Sequence, residues 1–138
     1  MTEKMYRMFS FDYIFSEASK NVEIYNRCCQ VQVERFLAGS NASIFAYGQS
    51  GTGKTYTMGL LDKINGSSDG LVPLSLRFIF GKLSHMKDFE VSLSMVQVYR
   101  DDVYDLFSKP LSPVVIREDP VGSVLSRKPR SSSCKDWS

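Results

Sequence analysis

Apolar and polar residues along the chain follow two periods. Val22, Tyr25, Cys29, Val33 and Phe36 recur at spacings of three and four, the stripe of an amphipathic helix. Ser19 stands ahead of that stripe as a candidate N-cap, and Gly39 stands where a C-terminal cap belongs. A second helix is predicted from Pro73, suited to a first turn, with Val72, Leu76, Ile79, Phe80 and Leu83 as its apolar face out to about Ser84. Residues 9–15 alternate well enough for a strand, and residues 43–47 are a short apolar run of strand composition. Residues 91–99 are apolar on both faces past Met95 and predict a buried strand. Between these lie a polar turn over 16–20 and a polar connector over 59–70 that contains Asn65-Gly66-Ser67-Ser68. Residues 123–138 show no apolar period; they are rich in Ser, Lys and Arg, a composition that predicts disorder.

At 138 residues, 43% hydrophobic and 23% charged, the chain is long enough for one domain with a sizeable core. The formal charge of +2 is uneven, with a net +3 in residues 127–138 and −1 in the rest. This balance gives no reason to expect a nucleic-acid partner. The N-terminus carries no long apolar run, so neither a secretory signal nor a membrane span is expected. Cys28, Cys29 and Cys134 have no metal-ligand spacing and the chain holds one histidine, His85, so the thiols are expected to be reduced. Asp101, Asp102 and Asp105 match no calcium loop and are expected to form a solvated turn.

The strongest chemical signal follows the apolar run 43–47. Gly48-Gln49-Ser50-Gly51-Thr52-Gly53-Lys54-Thr55 fits the phosphate-binding loop G-x-x-x-x-G-K-[ST] at every fixed position. Glycines let the backbone curl so that successive N–H groups converge on one phosphate without obstruction by a Cβ. A helix beginning at Lys54 adds unpaired N–H groups and the positive end of its dipole. Lys54 would reach the β- and γ-phosphates, and the Thr55 hydroxyl would ligate Mg²⁺. A Gly-rich turn bearing a surface lysine is the plainer alternative.

The neighbouring residues narrow the class. Phe45-Ala46-Tyr47-Gly48-Gln49 before the loop and Tyr56-Thr57-Met58 after it resemble the P-loop of kinesin motor domains. Phe9-Ser10-Phe11-Asp12-Tyr13-Ile14-Phe15, Ile24-Tyr25-Asn26 and Leu37-Ala38-Gly39-Ser40-Asn41 are similar to the kinesin segment ahead of that loop. Gly70-Leu71-Val72-Pro73 with Ile79-Phe80, Val98 to Phe107, and Val114 to Gly122 with its Arg117-Glu118-Asp119 turn continue the resemblance. Gln97, Arg100 and Asp101 depart from the family's pattern. The resemblance covers residues 9–122, with 1–8 an uninformative extension and 123–138 a basic Ser-rich tail.

Several expectations rest on that resemblance. It implies an α/β fold, a P-loop NTPase sheet flanked by helices and incomplete here, with ATP and Mg²⁺ as ligands. It implies a microtubule partner and a place on the cytoplasmic cytoskeleton. Tyr25 and Tyr56 take the positions of aromatics that pack on either side of adenine, with a place in the core as the alternative for both. Kinesins orient the attacking water through Asn-x-x-Ser-Ser-Arg-Ser-His and Asp-Leu-Ala-Gly segments, and neither string occurs in these 138 residues. Strands that pair with 43–47 in the family's sheet come from later in the motor sequence, so this run is expected to keep an open edge. Two readings of function follow: the ATP-binding N-terminal portion of a kinesin-like motor, or a truncated or alternatively spliced product that at most binds nucleotide or a protein partner.

Overall fold

A computed structural model describes residues 7–59, 70–111, 113–114, 116–118, 124–126 and 132–133. The chain divides into two units, Met1–Ser84 and His85–Ser138. All helices of the described residues lie in the first, and all β-ladders lie in the second.

The first long helix forms as the periodicity predicts, but with a break in its hydrogen bonding. Helix α1 (Asn21–Ile24) runs into a π-helical turn (Tyr25–Cys29), closed by the Gln30 N–H donating to the Tyr25 carbonyl, and continues as α2 (Gln30–Leu37). The buried residues are Asn21, Tyr25, Cys29 and Val33, four apart throughout. In a regular α-helix steps of four drift by about 40° each. The extra residue in the π-turn takes up part of that drift and keeps the four in line. It also rotates the first turn, so Asn21 takes the place over Tyr25 and Val22 faces outward, while Phe36 is exposed at the other end. Lys20, not Ser19, is the N-cap, and no side chain caps the helix there. The C-terminus closes as a Schellman motif: Gly39 N–H donates to the Phe36 carbonyl and Ser40 N–H to the Arg35 carbonyl, both at 3.0 Å. Gly39, at φ +93°, supplies the left-handed residue that this cap requires.

Helix α4 (Leu71–Leu83) carries Pro73 in its first turn, as expected, and Ser84 caps its end. Its packed face is Leu71, Leu74, Phe78 and Ile79 rather than the predicted set, of which Ile79 alone joins the core cluster. The reason is that nearly every position from Leu71 to Phe80 is apolar. Periodicity therefore selects no face, and contact with Tyr25, Cys29 and Val33 does.

Burial disfavours the charged forms of Tyr25 and Cys29 and raises the pKa of each above its ordinary 10.0 and 9.0. Cys29 and Glu34 add to the rise at Tyr25, opposed by Ser75, and Cys28 adds to the rise at Cys29. Once the pH passes those ordinary values the unfolded chain releases both protons while the folded chain retains them, so stability falls with rising pH. Urea midpoints measured between about pH 8 and about pH 10.5 are expected to decrease. A constant midpoint would remove both groups from the core.

Three strand expectations are corrected. Residues 9–15 form no strand, and Phe9, Phe11 and Ile14 are largely exposed. Residues 43–47 form no ladder either, with Phe45 88% and Tyr47 101% exposed. Strand composition favours an extended backbone but supplies no partner for its N–H and C=O groups. Residues 91–99 split into β1 (Ser92–Leu93) and β2 (Val96–Tyr99), and every residue of β2 is exposed rather than buried.

Strand β2 pairs antiparallel with β3 (Asp102–Asp105) around a two-residue turn, Arg100 and Asp101, both at positive φ. The aspartates do not form one solvated turn. Asp105 is buried, and its Oδ1 accepts the Phe107 N–H at 2.9 Å, closing a local Asx turn. Strand β4 (Ile116–Glu118) pairs with β5 (Val124–Ser126), and β6 (Ser132–Ser133) pairs with β1. Parts of the tail expected to be disordered are thus paired, because extended Ser and Val residues satisfy a neighbouring strand's backbone without needing an apolar period. Asn65, Gly66, Ser67, Ser68 and Cys134 lie outside the described residues. No helix of the described residues is long and apolar enough to cross a membrane.

Candidate nucleotide-binding loop

Residues 48–53 follow the run 43–47 as an exposed loop and enter helix α3 (Lys54–Met58). Gly53 precedes the helix at φ +89°, ψ 12°, a left-handed conformation that a side chain disfavours. That conformation turns the chain so that Lys54 and Thr55 open the helix. Cβ atoms built on Gly51 or Gly53 would meet nothing within 4 Å, so the space beside both is open. Lys54 is the sole charged residue from Gly48 to Met58. Its ammonium lies back over the loop, donating to the Gly48 carbonyl at 2.8 Å and to the Gln49 carbonyl. The Thr52 hydroxyl donates to the same Gln49 carbonyl at 2.8 Å.

Gly48, Gln49, Ser50, Gly51, Thr52, Gly53, Lys54 and Thr55 form one continuous loop and helix start, exposed except for the half-buried Lys54. The open space beside the glycines and the single cation above them fit a phosphate and its counter-ion. Thr55, exposed in the first turn of α3, presents a hydroxyl of the kind that ligates Mg²⁺. The two tyrosines are not brought to a common open face. Tyr56 is about half exposed, whereas Tyr25 is 4% exposed among Cys29, Val33 and Leu71. Tyr25 thus takes the core alternative: the helical face that continues through Cys29 and Val33 carries its ring into the packing.

Two anchors of the loop helix are not legible from sequence spacing. Asn21, buried at the start of α1, donates from Nδ2 to the Tyr56 carbonyl at 3.4 Å. Gly59 and Gly70 meet backbone to backbone, since a Cβ on Gly70 would lie 2.2 Å from the Gly59 nitrogen. This close approach joins the end of α3 to the start of α4. A polar residue at a helix start and glycines at both ends of a connector were the available signals, and both have commoner explanations in turns and caps.

The family model for the kinesin motor domain matches residues 1–135. The chain belongs to the kinesin family. The match extends on both sides of the resemblance carried by residues 9–122. Kinesin-like protein KIF27 of Homo sapiens is 37% identical over 126 residues, covering 86% of this chain and 9% of that protein. Kinesin-like protein KIP2 of Saccharomyces cerevisiae is 36% identical over 108 residues, covering 75% of this chain and 15% of its own length. A solved structure of a fast kinesin superimposes with a TM-score of 0.81 at 24% identity, over 93% of this chain and 37% of that one. It shares the fold, that of a P-loop NTPase represented here in part. The chain spans about a tenth of the length of the curated kinesin relatives it matches first.

Proposed function

We propose that this chain is the nucleotide-binding, N-terminal part of a kinesin-like microtubule motor. The observation that carries the reading is the open glycine loop 48–53, with Lys54 over its mouth and Thr55 in the first turn behind it. Loop N–H groups and Lys54 hold the phosphates of ATP, Thr55 holds Mg²⁺, and the exposed Tyr56 ring lies beside the base. In the whole protein, hydrolysis at this loop drives movement along microtubules of the cytoplasmic cytoskeleton. A fluorescent ATP analogue titrated into the chain tests the site. Saturable binding that weakens when Mg²⁺ is removed is expected, and Mg²⁺-independent or absent binding overturns the assignment.

For these 138 residues by themselves a second reading, binding without turnover, is favoured by the sequence, in which neither the Asn-x-x-Ser-Ser-Arg-Ser-His nor the Asp-Leu-Ala-Gly string occurs. Phosphoryl transfer to water needs a group that orients the water and groups that stabilise the transition-state charge. Each such group is worth about two orders of magnitude or more in rate. Steady-state phosphate release is therefore expected to stay orders of magnitude below a typical kcat of about 1–100 s⁻¹, with or without microtubules. Robust microtubule-stimulated release would remove the second reading and leave the first.

A further inference from the structure

The Gln49 carbonyl accepts from more donors than its two lone pairs serve well. The Thr52 hydroxyl is at 2.8 Å, the Thr52 N–H at 3.4 Å, and the Lys54 ammonium lies on the same oxygen. Lys54 also holds the Gly48 carbonyl. In this state the lysine and the threonine together close the 49–52 turn. A phosphate that draws Lys54 away takes the charge-assisted donor from both carbonyls. Only Thr52 remains to hold the Gln49 carbonyl, and its N–H alone is a long contact. A released carbonyl free to turn toward a phosphate would repel it.

We infer that Thr52 is a positioning residue for the nucleotide: its hydroxyl keeps the 49–52 turn closed when Lys54 transfers from the loop carbonyls to phosphate. This rests on the nucleotide-binding reading and adds to it the residue that lets the lysine move without the loop opening. Gly48 belongs to the same device. A Cβ there would lie 2.7 Å from the Thr52 Oγ1 but 3.5 Å from the Thr52 Cβ. The glycine is therefore what leaves room for the hydroxyl to fold over, and a methyl group at position 48 would displace it.

Thr52 is exposed, so its replacement removes no core contact. The full chain and a fluorescent ATP analogue with Mg²⁺ provide the test. Thr52→Ala and Thr52→Val, which both lack the hydroxyl, are expected to bind about three- to tenfold more weakly, the loss of one neutral hydrogen bond. Thr52→Ser is expected to bind as wild type does, with unchanged helical circular dichroism in all three. Gly48→Ala is expected to weaken binding in the wild-type background and markedly less in Thr52→Ala. Any backbone cost of the added methyl is common to both backgrounds and cancels in the cycle. Equal binding by wild type and Thr52→Ala, failure of Ser to restore it, or strictly additive Gly48 and Thr52 effects each overturn the inference. In those cases Lys54-dependent binding by wild type leaves the nucleotide site itself standing. Absence of that binding removes both.

Discussion

Tyr25→Ala is expected to unfold the helical unit. Truncating a buried aromatic to alanine costs about 3–5 kcal/mol, a large share of the roughly 5–15 kcal/mol that holds an ordinary domain together. The residue belongs to a small buried cluster with Cys29, Val33 and Leu71. No larger core stands behind it among the described residues to share the loss. Tyr25→Phe should do the opposite. The Tyr25 hydroxyl is buried and makes no hydrogen bond of regular geometry among the described residues; Ser75 lies close enough to offset part of its pKa rise but donates its proton to the Leu71 carbonyl at 2.7 Å. An unsatisfied buried polar group costs about 1–3 kcal/mol, so its removal with the ring retained stabilises by up to that amount. Urea unfolding followed by helical circular dichroism separates the two. A Phe variant less stable than wild type would mean that the hydroxyl has a partner, and an Ala variant of unchanged midpoint would take Tyr25 out of the core.

Lys54→Ala should weaken nucleotide binding by about 1.5–3 kcal/mol, the range for a hydrogen bond to a charged group, or about ten- to 150-fold. The side chain makes its contacts within the loop, to the Gly48 and Gln49 carbonyls, so the folded unit should survive its loss. Lys54→Arg is expected to recover only part of the affinity. A planar fork does not reproduce the compact, freely rotating ammonium that leaves the Gly48 and Gln49 carbonyls for a phosphate. Thr55→Ala should remove the Mg²⁺ dependence while leaving a weaker, Lys54-dependent affinity. Equal affinities for wild type and Lys54→Ala, in Mg²⁺ or in chelator, would return the loop to the status of a Gly-rich turn with a surface lysine.

Local chemistry accounts for what was readable in advance. The loop 48–55 is set by residues adjacent in sequence, each with its own backbone requirement, and the left-handed conformation of Gly53 before a helix at Lys54 follows from them. The Gly39 cap is legible for the same reason, since a Schellman motif closes within six residues of chain. The helix from Asn21 to Leu37 was readable as a helix, but its face was not. Sequence spacing assumes one angular step per residue, and the π-turn at Tyr25–Cys29 changes that step. Helix α4, apolar almost all round, left the choice of face to its neighbours.

The sequence by itself determined the kinesin-type loop, the order of its glycines and lysine, and the helices on either side. Tertiary structure alone decided that Tyr25 belongs to the core, that Asn21 holds the loop helix, and that Gly59 meets Gly70. It also decided which apolar runs become strands. Residues 43–47 have the composition for one and are not one, whereas Ser132–Ser133 have none of the apolar signal and pair with β1. The difference is physical. A helix or a tight loop satisfies its backbone with its own neighbours, so adjacent residues suffice to specify it. A strand exists only when another segment supplies donors and acceptors along its edge, and that partner is a property of the folded chain.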